Sequence, residues 1–186
     1  ETEELVDCIL RENQQNPTAH MLDIGTGSGC IPISIQTKMP LSNLKSIDIS
    51  EEALTIAQEN NQRLNTKVTF YKKDILNELL TEFEKFDIII SNPPYIREFE
   101  RELMNENVLK YEPHLALFVD NHKPLQFYKR ITFLATKALK KGGKLYFEIN
   151  ESFGKETALL LKNAGFSTVE IIKDLQGKDR IVKGEL

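Results

Sequence analysis

Short apolar runs alternate with amphipathic stretches over most of the chain. The run His20-Met21-Leu22-Asp23-Ile24 is five residues long and leads straight into the glycine cluster 25–29. Further runs at 44–49, 67–71 and 86–91 end near Asp48, Asp74 and Asn92. Runs of this length, rich in β-branched residues and closed by turn residues, predict strands. Between them, apolar positions recur at helical spacing. Leu5, Cys8 and Ile9 share one face of a first helix that Pro17 ends, and Leu54, Ala57 and Leu64 mark a helix capped by Ser50. Ile31, Ile33 and Ile35 are spaced as in a strand, but their place after the glycines predicts a helix. Later come a helix over 124–140 opening at Pro124 and ended by Gly142-Gly143, a strand over 144–149, and a helix over 154–164 closed by Gly165. Two last strands, 167–175 and 179–186, meet through Gly177 as a hairpin.

Strand then helix, repeated, predicts a parallel sheet with helical crossovers: a doubly wound, Rossmann-like α/β layer structure. Ile88-Ile89-Ile90 suits a strand buried on both faces. The long irregular stretch 96–123 breaks the rhythm, and loops of that length in a compact domain are often functional.

Composition narrows the classes without choosing among them. The 186 residues suit one domain, and 40% apolar with 28% charged residues describes an ordinary globular chain. A net charge of −4 offers no overall attraction to nucleic acid or anionic membrane. No apolar run approaches the roughly 18 residues a membrane span needs. Cys8 and Cys30 have no metal-ligand spacing, and His20, His114 and His122 are scattered, so no metal is expected. Both cysteines are expected as buried free thiols in a reducing cytoplasm.

The candidate chemistry lies at strand ends. In open parallel sheets, ligands bind beyond the carboxyl ends of strands, near the topological switch. Gly25, Gly27 and Gly29 follow the first strand with a G-x-G-x-G spacing. That is neither the dinucleotide fingerprint nor a phosphate loop. Asp48 ends the second strand, where a carboxylate can accept both hydroxyls of a ribose. Asp74 ends the third, and Ile75 beside it can cover one face of a base. A nucleoside without a pyrophosphate fits this set, and S-adenosylmethionine is such a ligand.

Ser91-Asn92-Pro93-Pro94-Tyr95 closes the fourth strand with two residues that donate no backbone N–H. The prolines fix the chain so that the Asn92 side-chain carbonyl and the Pro93 backbone carbonyl can face one point. Such an acceptor pair suits a planar –NH2 group, orienting its nitrogen for attack. Tyr95 can stack on the planar substrate and tolerate a nearby cation.

With these residues assembled, the chain resembles the class I S-adenosylmethionine-dependent methyltransferases, and more closely the release-factor glutamine N5-methyltransferases. The likeness rests on "ETEELV", "LDIGTGSGCIPI", "SNPPYI", "YEPHLALF", "FYKRI", "KKGGKLYFEI" and "KDLQGKDRIV". Asn-Pro-Pro-Tyr alone is shared with adenine-N6 DNA methyltransferases; "YEPHLAL" with "KDLQGKDR" narrows the resemblance. It implies a mostly parallel seven-stranded sheet with an antiparallel C-terminal hairpin, and a single catalytic domain over 1–186 that begins after the family's N-terminal helical domain. It also implies that Asp23, Gly25, Thr26, Gly27, Ser28, Gly29, Asp48, Asp74, Ile75 and Asn92 hold S-adenosylmethionine, and later S-adenosylhomocysteine. Asn92, Pro93, Pro94 and Tyr95 would hold the glutamine of the release factor's Gly-Gly-Gln motif, with Asn92, Pro93 and Tyr95 catalytic. A cytoplasmic monomer with no direct nucleic-acid or membrane contact is expected.

Other readings fit the same residues. The same acceptor pair would serve a ribosomal-protein glutamine or an exocyclic amine of a nucleic-acid base. A non-catalytic S-adenosylmethionine-binding module is the reading from a different class.

Overall fold

In the computed structural model, the described residues are 2–94, 96–97, 118–119 and 124–186. Helix α1 (Thr2–Glu12) leads into β1 (His20–Ile24), then α2 (Cys30–Lys38), β2 (Asn43–Asp48), α3 (Glu51–Arg63), β3 (Thr69–Lys72) and β4 (Phe86–Ser91). Two-residue strands β5 (Ile96–Arg97) and β6 (Phe118–Val119) pair with each other. The chain then forms α4 (Gln126–Ala138), β7 (Leu139–Glu148), α5 (Gly154–Asn163), β8 (Ser167–Lys173) and β9 (Asp179–Glu185).

The main sheet has seven strands in the order β3-β2-β1-β4-β7-β9-β8. Strands β1 to β4 and β7 run parallel, and β9 runs antiparallel to both its neighbours. The expected sheet and closing hairpin are therefore present. The order reverses direction between β1 and β4, so a crevice opens at their carboxyl ends.

Both faces of the sheet are covered, which is why its central strands read as unbroken apolar runs. Leu22, Ile24, Ile89, Leu145 and Phe147 pack under α4 and α5 through Tyr128, Ile131, Leu134 and Leu161. On the other face, Met21, Ile88, Ile90 and Tyr146 pack under α1 and α2 through Leu5, Ile9, Ile31 and Ile35. Ile88-Ile89-Ile90 thus serves both cores in turn. The alternation also sets which side chains share a face at the carboxyl edge.

One boundary differs from expectation. Gly142 and Gly143 do not end the helix; α4 stops at Ala138 and the chain turns extended at Leu139. The glycines lie within β7, where its register with β4 shifts between Phe86 and Ile88. A β-carbon on Gly143 would stand 2.9 Å from the Lys140 carbonyl oxygen and 3.2 Å from that of Asp87. Close strand approach, rather than helix termination, requires glycine here. Cys8 is buried as expected, whereas Cys30 is exposed at the start of α2. Among the described residues, no helix is long and apolar enough to cross a membrane.

Gly29 fixes the seating of α2 against α3. Its φ is +82°, and an added β-carbon would lie 2.8 Å from Ile33 Cδ1 and 3.1 Å from Ala57 Cβ. Replacing Gly29 with Ala combines left-handed strain with overpacking and is expected to destabilise the fold by about 2–3 kcal/mol. Urea unfolding checks this as a lowered midpoint at unchanged slope.

Candidate active site

The glycine loop is hooked onto β2 before it reaches α2. The backbone N–H groups of Gly25 and Thr26 both donate to the Ile47 carbonyl, at 2.9 and 3.2 Å. Gly29 N–H then donates to the Thr26 carbonyl at 2.9 Å, closing the turn. Gly25, Gly27 and Gly29 all have positive φ, a path open mainly to glycine. The Ser28 carbonyl accepts from Asn60 of α3 at 3.0 Å.

Asp48 locks the far side of this loop. One carboxylate oxygen accepts from Gly27 N–H and the other from Ser50 N–H, each at 2.9 Å. Each oxygen keeps a lone pair for a further donor, so a ribose diol remains within its capacity. Ile49, next to Asp48, is 51% exposed on the same rim. Its position at the end of an apolar run concealed it from sequence reasoning.

Asp74 organises the next corner, accepting from Leu76 N–H at 2.9 Å and from the Asn77 amide at 2.6 Å. Ile75 is only 8% exposed and packs into the core. The corner is tied down by Arg130 of α4, which donates to the Ile75 and Glu78 carbonyls at 2.9 and 2.7 Å. Nothing in the local sequence around Arg130 signals that contact, because 55 residues separate it from Ile75.

Asp23 is the unusual member. It is fully buried, and its Oδ2 accepts from the Ser46 hydroxyl at 2.6 Å. The Thr26 hydroxyl in turn bonds to that of Ser46. Asp23 Oδ1 has no partner among the described residues. Burial pushes this carboxyl up to about 6, only partly offset by the Ser46 and Thr26 hydroxyls. A half-satisfied carboxylate beneath a glycine loop is complementary to a cationic ligand.

The fourth strand brings the acceptor-rich turn to this place. Ile24 pairs with Ser91 in the sheet, and the Ser91 hydroxyl donates to the Ile24 carbonyl at 2.7 Å. A β-carbon on Gly25 would lie 3.8 Å from the Asn92 backbone carbonyl oxygen. Asn92 and Pro94 are half-buried and Pro93 is buried. Asp23, Gly25, Thr26, Gly27, Ser28, Gly29, Asp48, Asn92, Pro93 and Pro94 thus gather around the β1–β4 crevice, with Asp74 in the turn that follows β3. Tyr95, Glu112, His114, His122, residues 98–103 and most of "YEPHLALF" lie outside the described residues. His20 lies at the opposite end of β1, where its backbone N–H donates to Asp87.

Residues 2–115 match the family model described as Methyltransferase small domain. A release factor glutamine methyltransferase of Bacteroides thetaiotaomicron is 47% identical over 98% of this chain. One from Flavobacterium psychrophilum is 48% identical over 98% of it. The chain spans 65% of the length of each of these two curated relatives. Among solved structures, a release-factor-specific protein-(glutamine-N5) methyltransferase of Alicyclobacillus acidocaldarius superposes with a TM-score of 0.59 at 26% identity. That match covers 99% of this chain and 90% of the other.

Asp23 yields a pH test. From the ordinary value of 3.8 up to about 6, the folded chain holds a proton that the unfolded chain has released. This group's contribution to stability therefore falls as pH rises through that window, by about 3 kcal/mol in full. Asp23→Asn, which carries no charge, is expected to gain stability relative to the parent between pH 4 and pH 7. Chemical denaturation of both proteins at the two pH values measures the difference.

Proposed function

The chain belongs to the methyltransferase small domain family, and from that premise we propose that it moves a methyl group from S-adenosylmethionine to the side-chain amide of a glutamine. The glutamine is that of the Gly-Gly-Gln loop of a peptide chain release factor. The observation that carries this reading is the juxtaposition of two unlike turns. A glycine loop able to admit a nucleoside ends β1, and the Asn92 backbone of the acceptor-rich turn ends β4 directly beside it.

The residues present fit S-adenosylmethionine. Asp48 would take the ribose hydroxyls, and Ile49 would lie against one face of the base. Gly27 leaves open space where a side chain would otherwise project. Asp23 supplies buried negative charge for a ligand carrying positive charge on its sulfur and its amino group. When bound, the sulfonium offers an electrophilic methyl group. The chain itself would supply position and electrostatics.

An amide nitrogen is a weak nucleophile because its lone pair is delocalised into the carbonyl. The Asn92 side-chain oxygen and the Pro93 carbonyl would each accept one N–H of the substrate amide, orienting the nitrogen and favouring its pyramidal form. Pro93 and Pro94 contribute by what they lack: neither has an N–H that could satisfy those acceptors in advance. Tyr95 would stack on the planar amide. A charge of −4 favours a protein acceptor over a nucleic-acid base, whose phosphates need cationic partners. The reading places the reaction in the cytoplasm.

Incubation with S-adenosylmethionine and an unmodified release factor, followed by peptide mass spectrometry, tests the proposal. One added methyl on the Gly-Gly-Gln peptide, absent from a Gln→Ala control, is the expected result. Methyl incorporation elsewhere, or into ribosomal protein or RNA alone, would overturn it. Asn92→Ala is expected to lower kcat by about 10²–10³-fold while leaving S-adenosylmethionine affinity within a few-fold. A variant with unchanged kcat would remove the acceptor pair from the mechanism.

A further inference from the structure

The β8–β9 turn, 174–178, carries an apolar side chain that the fold does not use. Leu175 is 94% exposed, the most exposed large hydrophobic among the described residues. A lone surface leucine needs no explanation in itself. What sets this one apart is the rigidity of its mount and the edge on which it stands.

The mount is held from several directions. Asp174 Oδ1 accepts the backbone N–H groups of Gln176 and Lys178, each at 2.9 Å. Its Oδ2 accepts Nε and Nη2 of Arg180, both at 3.2 Å, and this ion pair is buried. Asp174 N–H donates to the Lys178 carbonyl at 2.8 Å, and Gly177 takes a φ of +82° to close the turn. Arg180 also reaches the Ile149 carbonyl at 3.4 Å, and Leu175 N–H approaches Glu4 of α1 at 3.5 Å. A side chain presented on such a turn loses little backbone freedom on binding.

The edge is that of the candidate active site. Strand β9 lies antiparallel between β7 and β8, so the turn joining β8 to β9 projects from the carboxyl edge of the parallel strands. Two strand spacings separate β9 from β4, placing the turn roughly 10–15 Å along the rim from Asn92. Leu41 and Leu64 are also exposed, but they precede β2 and β3 at the opposite edge.

We propose that Leu175 is a docking contact for the folded protein that presents the substrate glutamine, seating in an apolar pocket beside the glutamine loop. This rests on the glutamine-methylating reading above. A loop reaching the β1–β4 crevice brings its flanking surface across this rim, where Leu175 is a rigid apolar feature, more exposed than Ile49 beside Asp48. The motif 173–180, otherwise only a closing hairpin, then has a recognition role.

Leu175→Asp and Leu175→Met separate this role from a structural one. With an intact release factor as substrate, Leu175→Asp is expected to raise KM by about tenfold or more. Its kcat should stay within about twofold and its S-adenosylmethionine affinity should be unchanged, while Leu175→Met keeps the parental KM. An unchanged KM in Leu175→Asp would overturn the proposal. So would a lower kcat accompanied by weaker cofactor binding, which would make the turn a scaffold. A concentration-dependent dimer lost in Leu175→Asp with KM unaltered would reassign the residue to self-association. If the parent chain methylates no release factor, the glutamine reading itself falls, and the docking role with it.

Discussion

The pairing of β1 with β4 is the constraint on which the rim depends. Their register sets Ile24 opposite Ser91, and the buried Ser91 hydroxyl reinforces it by donating to the Ile24 carbonyl. One residue further along, each strand leaves the sheet, the first as Gly25 and the second as Asn92. The two turns consequently start from adjacent points. A slip of one residue would exchange the faces presented by Ile88, Ile89 and Ile90, exposing both cores to mismatch. The hydrophobic layers thus enforce the geometry of a site containing few hydrophobic groups.

Much of this was legible in the sequence, for identifiable reasons. Strands buried on both faces leave unbroken β-branched runs, and positive-φ turns leave glycines, so β1, β4 and the loop between β1 and α2 could be placed from residues alone. Asp48 and Asn92 were legible because each ends a run. What escaped was of two kinds. Arg130 acts through a contact made only when α4 packs beside the 74–78 corner, and its own neighbourhood says nothing of it. Gly142 and Gly143 carry the usual signal of a helix end, yet Gly142 takes a positive φ within β7 and Gly143 sits where a β-carbon would crowd the Asp87 carbonyl of β4. The same residue type answers two physical demands, and only tertiary contact tells them apart.

Asp23 shows a similar ambiguity in chemical form. As an element of the strand it should have been apolar, since burial without full pairing opposes ionisation. Ser46 and Thr26 give it partial support, leaving one oxygen without a described partner. Locally unfavourable arrangements of this kind are commonly kept at functional sites, where binding supplies what folding does not. Here the missing partner would be positive charge, which is the property that distinguishes S-adenosylmethionine from an ordinary nucleoside.

The carboxyl edge is also stiffened by one repeated device. Asp48 takes the N–H groups of Gly27 and Ser50, Asp74 that of Leu76, Asn150 that of Ser152, and Asp174 those of Gln176 and Lys178. Each side-chain oxygen satisfies backbone donors released where a strand ends, stabilising the turn without adding bulk above the crevice. The turns that leave β2, β3, β7 and β8 therefore behave alike, whereas the one that leaves β4 does not. There an amide is followed by two prolines, so the local donors are removed rather than satisfied. The same edge thereby holds four turns closed by a side-chain oxygen and, after β4, one in which two prolines remove the local donors. That difference, more than any single residue, is why the proposed chemistry is assigned to the turn after β4.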